Sequence, residues 1–369
     1  MKRFSLLLPL LCLLTLPVRA AAPVVERSSV SELGNGVEYR EELWLFEDGE
    51  SREIHSLVVD FSHSTLLLAT PGDDCDNDGG SGRGAALADM AQAAAEKGRH
   101  VLAAVNGDFY KTSADGGEEY ALYAPLGVMV KEGTLLSEGQ RAEGAAYFGI
   151  TKDGRALIGS AEPGGDWDSV KDSLLTAVGG ELRLIRDGES NLASLRWRTD
   201  SPILAARYGQ AGQVYDPDGE VWSVPGALSS YPRTAVGIRD DGSVLLVCAS
   251  PGGVTPGLTV PQLTELLLAM GCREAMNLDG GPSTQMVVAD GNGGFRQTVS
   301  GGVSRRIGVG LMAVEGRAEN FLVPPAEDVA PSSPAPVLVI FLAVLAAAMP
   351  LLVLGKRKAQ APKPHAHLK

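Results

Sequence analysis

Short apolar segments separated by turn residues constrain the fold of this chain more than any other feature. Stretches such as IHSLVVDF, TLLLAT and ELRLIRDGE have the length and composition of strands. Several are joined through Asp-Gly, the strongest short-range signal for a β-hairpin. The 45 glycines and 22 prolines among 369 residues agree with many turns. The pattern predicts an α+β protein, a β-rich body of mixed sheets with a few packed helices.

Two segments have the period of an amphipathic helix, and each runs through a glycine into a buried strand. The first begins near Gly84 and stops at Gly98. The second has Thr259 as its N-cap, Gln262 three residues later and Gly271 as its stop. Both of the following strands, HVLAAVNGDFY and REAMNLDGG, end in an Asn and an Asp among glycines.

Asp108 and Asp279 are the acids at the ends of these two strands. Sheets backed by helices often bind ligands at that edge. The neighbouring glycines permit positive φ and let backbone N–H groups approach a ligand. Each motif is also a good turn sequence by itself, so a simple turn stays an alternative. The shared plan of the two units favours the ligand site.

The two ends of the chain carry targeting patterns. After a basic start, the apolar run Leu6–Leu16 is followed by small residues suited to cleavage. Residues 1–22 are therefore predicted to be a secretory signal peptide, because the run is too short for a membrane anchor. Near the other end, Val337–Leu354 is an uncharged segment of bilayer length followed by a basic cluster.

These patterns predict five parts: an exported domain over 23–322 after the signal peptide, then a Pro-rich stalk, 323–336, a transmembrane helix, 337–354, and a basic cytoplasmic tail, 355–369. The expected location is the cell membrane, with a single pass and the N-terminal domain outside. A buried core helix is the alternative for the span. The Pro-rich leader and the basic stop disfavour it.

The charge of the exported body excludes one class of partner. The chain has 32 Lys and Arg against 45 Asp and Glu, a net charge of −13. Eight of the basic residues lie in the signal peptide and the tail, which leaves 24 basic against 45 acidic residues, a net charge of −21. Nucleic acid is therefore excluded, because it requires basic patches. An anionic substrate requires local arginines or a metal ion.

The cysteines and one acidic motif give weaker evidence about disulfide formation and metal binding. Cys248 and Cys272 lie in apolar surroundings, and two buried thiols are favoured over a disulfide. The stretch DDCDNDGG places Asp74, Asp76 and Asp78 at Ca²⁺-loop spacing. An EF-hand is excluded because its twelfth position is Ala85. A solvated acidic loop and a loosely bound Ca²⁺ both stay open, and no other cofactor is indicated.

Six motifs, in order, resemble the phosphodiester glycosidase family: AVNGDFY, PLGVMVKEG, RTAVGIRDDG, the GLT at the start of the second helix, MNLDGGPSTQM and VSRRIGVGL. The resemblance covers Leu57–Val314, most of the body. This chain has Pro282 where the family usually has a third glycine. The family's Arg-Pro-Val box aligns Arg305 with the arginine and Arg306 with the proline. Membership implies hydrolysis of a sugar-1-phosphodiester at its glycosidic bond, which releases the sugar from a phosphorylated acceptor.

The chemistry of glycosidic bond cleavage and phosphate binding suggests a role for each candidate residue. Cleavage of a glycosidic bond usually needs carboxyl groups near the anomeric carbon, and Asp108 and Asp279 are the expected catalytic pair. Asn106 and Asn277 are expected to hold sugar hydroxyls or to orient the acids. Because guanidinium matches phosphate oxygens, Arg233 and Arg305 are expected phosphate ligands. The motif MNLDGGPSTQM, residues 276–286, is called the box. Further phosphate donors are expected in its backbone and side chains, at Gly280, Gly281, Ser283 and Thr284.

Three hypotheses follow. The first is a membrane-anchored hydrolase that cleaves sugar-1-phosphodiesters on glycans or cell-surface polymers. The second is a module that binds phosphorylated glycans without turnover. The third is a structural surface protein in which the Asp-Gly boxes are only turns.

Overall fold

Seven stretches of the chain are described by the computed structural model: 22–71, 82–112, 122–141, 145–192, 230–249, 257–301 and 305–322. They belong to one compact unit that ends at Leu322. Within these ranges, no helix is both long and apolar enough to cross a membrane. The predictions for the signal peptide up to residue 21, the stalk, the span, the tail and the acidic loop of Asp74, Asp76 and Asp78 lie outside them.

Strands dominate these ranges, as the sequence predicts. In chain order they are β1 (Val24–Gly34), β2 (Val37–Leu45), β3 (Ser51–Val59), β4 (Ser64–Ala69), β5 (Gly82–Arg83), β6 (Val101–Asn106), β7 (Tyr110–Thr112), β8 (Leu122–Pro125), β9 (Met129–Lys131), β10 (Thr134–Ser137), β11 (Ala146–Thr151), β12 (Ala156–Ser160), β13 (Leu174–Gly179), β14 (Arg183–Arg186), β15 (Glu189–Ser190), β16 (Arg233–Arg239), β17 (Val244–Ala249), β18 (Cys272–Asn277), β19 (Gln285–Ala289), β20 (Phe295–Ser300) and β21 (Gly310–Glu315).

Four sheets are built from these strands. An eight-stranded sheet has the order β1-β2-β3-β17-β16-β18-β14-β15. Two five-stranded sheets have the orders β10-β9-β13-β11-β12 and β20-β19-β6-β21-β4, and a small three-stranded sheet has the order β5-β8-β7. Every strand pairing in the described ranges is antiparallel. β6 and β18, the strands that lead into the two Asp motifs, therefore belong to different sheets.

Three predicted hairpins are confirmed, and each turns at its Asp-Gly. β11 pairs with β12, β14 with β15, and β16 with β17. Gly154, Gly188 and Gly242 in the three turns have φ values of 84°, 80° and 83°. These are left-handed conformations that glycine adopts without steric cost, which explains why the turns occur at these positions.

The three large sheets face a shared core, and a helix covers the outer face of each. The central core takes apolar side chains from all three, for example Leu246, Val105 and Phe148. Helix α1 (Leu87–Glu96) packs outside the sheet that contains β6, the short α2 (Trp167–Val170) outside the sheet that contains β11, and α3 (Val260–Ala269) outside the eight-stranded sheet. The strand ends that meet between the sheets are thus held by packing on both sides.

Both predicted helices and both buried thiols are confirmed. α1 buries the predicted stripe at Leu87, Met90, Ala91 and Ala94. α3 begins with the predicted capping box, in which the Thr259 hydroxyl accepts from the Gln262 backbone N–H and the Gln262 side chain accepts from the Thr259 N–H. Cys248 and Cys272 are buried free cysteines, and burial raises the pKa of each thiol to about 12.

The capping box provides a direct test of helix stability. Thr259→Ala removes the side-chain acceptor for the first turn of α3, so we expect the free energy of unfolding to fall by about 1 kcal/mol. Urea denaturation followed by circular dichroism measures this. Thr259→Ser keeps the hydroxyl and should remain close to the parent. Equal stability of the Ala and Ser variants would show that the cap contributes nothing.

Candidate functional site

The two Asp motifs lie in direct contact, joined by two hydrogen bonds. The Asp279 backbone N–H donates to the Gly107 carbonyl oxygen at 3.0 Å. The Asn106 side-chain amide donates to the Asp279 carbonyl oxygen at 2.6 Å. The loop after β6 and the loop after β18 therefore form one structure, at the place where two of the sheets meet.

Asn106 is the buried centre of this junction. Its side-chain nitrogen makes the bond to Asp279. Its side-chain oxygen accepts from the Thr234 hydroxyl at 2.7 Å and from the Gln285 backbone N–H at 3.0 Å. Its amide is thus bonded to the box, to β16 and to the start of β19. Of the two roles expected for Asn106, the structure favours orienting the acids over holding sugar hydroxyls.

Asn277 has a similar structural position. It is buried at the end of β18, and its side-chain oxygen accepts from the Leu182 backbone N–H at 2.6 Å. The Asn277 backbone N–H donates in return to the Leu182 carbonyl oxygen at 3.1 Å. This exchange fixes the strand end directly before Asp279. The contacts favour a positioning role for Asn277 as well.

Asp108 is held by backbone N–H groups on both of its carboxylate oxygens. One oxygen accepts from Phe109 at 2.7 Å and the other from Gly127 at 2.5 Å, and the residue is only 3% exposed. A Cβ on Gly127 would lie 2.8 Å from the Asp108 carboxylate and 2.6 Å from the Cα of Gly179. Two glycines thus leave the space that this carboxylate fills, and it fastens the loop before β9.

Asp279 has a different environment, which contains a guanidinium and a phenol. One of its oxygens accepts from the Gly280 N–H at 2.8 Å, and its charge acts on both Tyr110 and Arg305. The Tyr110 hydroxyl accepts from Arg305 Nε at 2.8 Å and donates to the Arg306 carbonyl oxygen at 3.1 Å. Tyr110 and Arg305 therefore contact each other, and the Asp279 carboxylate acts on both through its charge; the three groups are called the charged cluster.

The protonation states in this cluster follow from its contacts. Burial raises the pKa of Tyr110, and the charge of Asp279 adds to the rise. Burial by itself would lower the pKa of Arg305, but Tyr110 and Asp279 outweigh it, so the net direction is upward. Tyr110 therefore keeps its proton and Arg305 its charge at neutral pH. The two terminal nitrogens of Arg305 make no hydrogen bond to any described residue, so they can bind an anion.

Arg233 lies beside the box at Gly280. It begins β16, and its Nε donates to the Leu258 carbonyl oxygen at 2.8 Å. A Cβ on Gly280 would be 3.8 Å from the Cδ of Arg233, so the arginine stem packs beside the box. Its guanidinium carbon lies 5.6 Å from the centre of the Tyr231 ring. The structure brings both predicted arginines to the box.

Two of the expected phosphate donors already donate to groups of the protein, and a third is fully buried. The Gly280 N–H donates to Asp279 and the Gly281 N–H to the Pro232 carbonyl oxygen at 2.7 Å. Thr284 is 0% exposed, with its hydroxyl 3.4 Å from that of Thr234. The box thus uses its own polar groups to hold its shape, and the part of these donors in phosphate binding stays a prediction. Of the expected donors Ser283 and Thr284, buried Ser283 is the one whose hydroxyl lies near the charged cluster, 3.4 Å from the Tyr110 hydroxyl.

Pro282 occupies a position that accepts proline. Residues Gly281–Ser283 form one turn of 3₁₀ helix, and proline in a first turn loses no hydrogen bond because the N–H there has no intrahelical partner. Gly281 precedes it with φ of 59°. The departure from a third glycine is therefore compatible with the fold of the box.

Sequence reasoning missed four residues of the site. Tyr110 and Gly127 lie in the AVNGDFY and PLGVMVKEG motifs but received no role, and Thr234 and Gln285 lie next to residues that did. A hydroxyl or amide inside a strand pattern carries no signal of its partner, because the partner, Asn106, is 128 residues from Thr234 and 179 residues from Gln285 along the chain. Within the described ranges, no group of three or more His, Cys, Asp or Glu side chains could hold a metal ion.

The fold and the site together define a class: a β-rich protein that presents a carboxylate, a phenol and two arginines at the joined ends of two buried strands. The family model for phosphodiester glycosidase matches residues 99–314, more than half of the chain. The chain therefore belongs to the phosphodiester glycosidase family.

Two solved structures share the fold. One is the catalytic domain of zebrafish N-acetylglucosamine-1-phosphodiester alpha-N-acetylglucosaminidase, auto-inhibited by its pro-peptide, with a TM-score of 0.51, 19% identity and coverage of 80% of this chain and 89% of that one. The other is a hypothetical protein from Synechocystis, with a TM-score of 0.51, 12% identity and coverage of 79% and 64%. At these identities the likeness concerns the fold alone.

One curated relative matches over a short segment. The SPbeta prophage-derived uncharacterized protein YomE of Bacillus subtilis is 32% identical over 78 residues, which is 21% of this chain. The match spans only 12% of the length of that relative.

The contrast between the two acids predicts different effects of the same substitution. Asp108→Asn replaces an acceptor oxygen by an amide NH2 group, a donor that faces a buried backbone N–H, so we expect a loss of about 1–3 kcal/mol in the free energy of unfolding. Asp279→Asn can still accept from Gly280 through its amide oxygen, so its loss should stay under about 1 kcal/mol. Urea denaturation at pH 7 compares them. Equal losses would mean that Asp108 is not the fastening residue.

Proposed function

We propose that this protein is a hydrolase that cleaves the glycosidic bond of sugar-1-phosphodiesters on glycans or cell-surface polymers. The observation that supports the proposal is the junction of the two Asp motifs, because the charge of the Asp279 carboxylate held there acts on Tyr110 and on the charged Arg305. The sugar-1-phosphodiester needs these two kinds of group, a carboxylate for the developing positive charge at the anomeric carbon and a guanidinium for the phosphate.

Asp279 is the reacting carboxylate in this proposal. It either attacks the anomeric carbon or stabilises the positive charge that forms as the bond to the phosphate oxygen breaks. A phosphate leaving group is a weak base, so it needs little help from a general acid. Arg305 and Arg233 neutralise the phosphate oxygens, and Asp108 acts as a positioning residue through the loop before β9.

Export and anchoring are the second part of the proposal. The sequence pattern of residues 1–22 supports secretion, and Val337–Leu354 with the basic residues after it supports a single-pass anchor. The acidic body agrees with an enzyme outside the cell that binds its anionic substrate through a few arginines. In this proposal the enzyme acts on glycans or polymers at the surface of the cell that makes it.

The chemistry is tested with a panel of sugar-1-phosphodiesters and the full-length chain in detergent. The parent should release free sugar, and Asp279→Asn should lower kcat by about 10²- to 10⁴-fold. Asp240→Asn is the matched control, because Asp240 is an exposed acid in the turn at the far end of β16, and it should keep full activity.

Each other outcome has a defined meaning. Full activity of the Asp279→Asn variant would remove Asp279 from the mechanism. Binding of the panel without any release would replace hydrolysis by recognition alone. A parallel series with a chelator decides whether Ca²⁺ is required, since loss of release on chelation and its return with added Ca²⁺ would identify the metal.

The location is tested separately by membrane fractionation and protease treatment of intact cells. The full chain should sediment with membranes, and external protease should degrade the domain over 23–322. A chain truncated after residue 322 should be recovered in the medium. Recovery of the full-length chain in the cytosolic fraction would reject the anchor and the exported location together.

A further inference from the structure

The hairpin of β2 and β3 lies outside residues 99–314, the part of the chain that the family model matches. The residues that join its two strands, 46–52, are called the hairpin end. They include Arg52, whose side chain is only 3% exposed although arginine is always charged. Burial of a charge is costly unless partners surround it, so the partners of Arg52 show what its guanidinium holds in place.

One set of partners lies in the hairpin end itself. Two nitrogens of the guanidinium donate to the two carboxylate oxygens of Asp48, at 2.8 and 2.5 Å. One of these nitrogens also donates to the Glu50 carbonyl oxygen at 3.1 Å, and the guanidinium carbon lies 4.7 Å from the centre of the Phe46 ring. The hydrogen bonds from Arg52 lower the pKa of Asp48 to about 2, so both groups are charged at neutral pH. The guanidinium is therefore held in one orientation.

The third nitrogen of the guanidinium bonds to a segment far away along the chain. Arg52 Nε donates to the Gly257 carbonyl oxygen at 3.0 Å, across a separation of 205 residues. Asp48 contacts the start of α3 as well, because the Gln262 side-chain amide donates to its carboxylate at 2.8 Å. The hairpin end thus holds residues 257–262, here called the clamped segment, at two points.

The clamped segment carries the partner of Arg233. Leu258 directly follows Gly257, and its carbonyl oxygen accepts from Arg233 Nε at 2.8 Å. Two backbone hydrogen bonds, at 3.3 and 2.9 Å, also join Leu258 to Tyr231, two residues before Arg233. Because peptide groups are planar and rigid, a shift of the Gly257 carbonyl also moves that of Leu258. Arg52 and Arg233 are therefore linked through two adjacent carbonyl groups.

The Asp279 carboxylate is held by different contacts. Its backbone is bonded to Gly107 and Asn106, and one of its carboxylate oxygens accepts from the Gly280 N–H. None of these three partners belongs to the clamped segment. Loss of the Arg52 contacts should therefore disturb phosphate binding at Arg233 more than the chemistry at the anomeric carbon.

We propose that Arg52 is a positioning residue for phosphate binding, which orients the guanidinium of Arg233 through the carbonyl groups of Gly257 and Leu258. Guanidinium binds phosphate through directed hydrogen bonds, so a misaligned Arg233 keeps its charge but loses part of this interaction. The inference rests on the proposed function for the role of Arg233 as a phosphate ligand. It adds to the site a residue from outside the matched family region.

The test is a double-mutant cycle on the full-length protein, with inorganic phosphate as the probe and titration calorimetry as the measurement. Arg52→Met should raise the dissociation constant for phosphate about three- to tenfold, and Arg233→Met should raise it at least as much. In the double variant, the Arg52 substitution should add less than twofold, because the group that it positions is gone.

Three outcomes of the cycle would overturn the proposal. They are full additivity of the two substitutions, an unchanged dissociation constant in Arg52→Met, and the absence of phosphate binding by the parent. If the Met variant does not fold, Arg52→Lys replaces it. This variant keeps the charge beside Asp48 but not the three-sided set of donors, so it should weaken phosphate binding as well.

Arg40 provides a matched control on the same hairpin. Its Nε and one terminal nitrogen donate to Glu38 at 3.0 and 2.6 Å, and both residues belong to β2. Arg40→Met therefore removes an arginine–carboxylate pair without touching the clamped segment, and it should leave the dissociation constant for phosphate unchanged. Equal weakening by the Arg40 and Arg52 variants would indicate a general disturbance of the hairpin and would reject the positioning role.

A turnover assay keeps this inference distinct from the proposed function. If the parent releases sugar from a sugar-1-phosphodiester, Arg52→Met should raise KM about three- to tenfold and leave kcat within about twofold. No release by the parent, together with the expected phosphate cycle, would reject the hydrolase and keep the positioning role. Release with an unchanged KM in Arg52→Met would keep the hydrolase and reject the positioning role.

Discussion

The hydrogen bond from the Asp279 N–H to the Gly107 carbonyl oxygen is the contact on which the rest of the site depends. It joins the ends of β6 and β18, which belong to different sheets. The buried side chain of Asn106 strengthens the junction through hydrogen bonds to the box, to β16 and to β19. Since those sheets pack on one central core, the position of the Asp279 carboxylate is set by the packing of the whole body.

Close approach of backbone segments gives each acid its own environment. Gly127 and Gly179 touch where side chains would collide, and the Asp108 carboxylate fills the space beside them with both oxygens bonded to N–H groups. Asp279 instead faces a phenol and a guanidinium. Two acids with the same sequence surroundings, an Asn before and a glycine beside, thus differ in chemistry because different neighbours pack against them.

The sequence-based predictions succeeded where the determining forces are local. The stripe of α1, the capping box of α3 and the Asp-Gly hairpins depend on neighbours a few residues away, and all are confirmed. The phosphate donors predicted in the box stay a prediction, and the structure adds the partners that these groups have within the protein. The N–H groups of Gly280 and Gly281 and the hydroxyl of Thr284 have partners within the protein, and Pro232 and Thr234 come from another strand segment that no local pattern could indicate.

By itself, the sequence determined the β-rich class, the two helix-to-strand units and the family, because periodicity, caps and motifs are properties of neighbouring residues. Only the tertiary structure decided that the two strand ends meet, that Asp108 fastens a loop while the Asp279 charge acts on Tyr110 and Arg305, and that Tyr110 contacts Arg305. The physical reason is that hydrogen bonds between sheets join residues distant along the chain, and their partners are fixed only when the sheets pack on a common core.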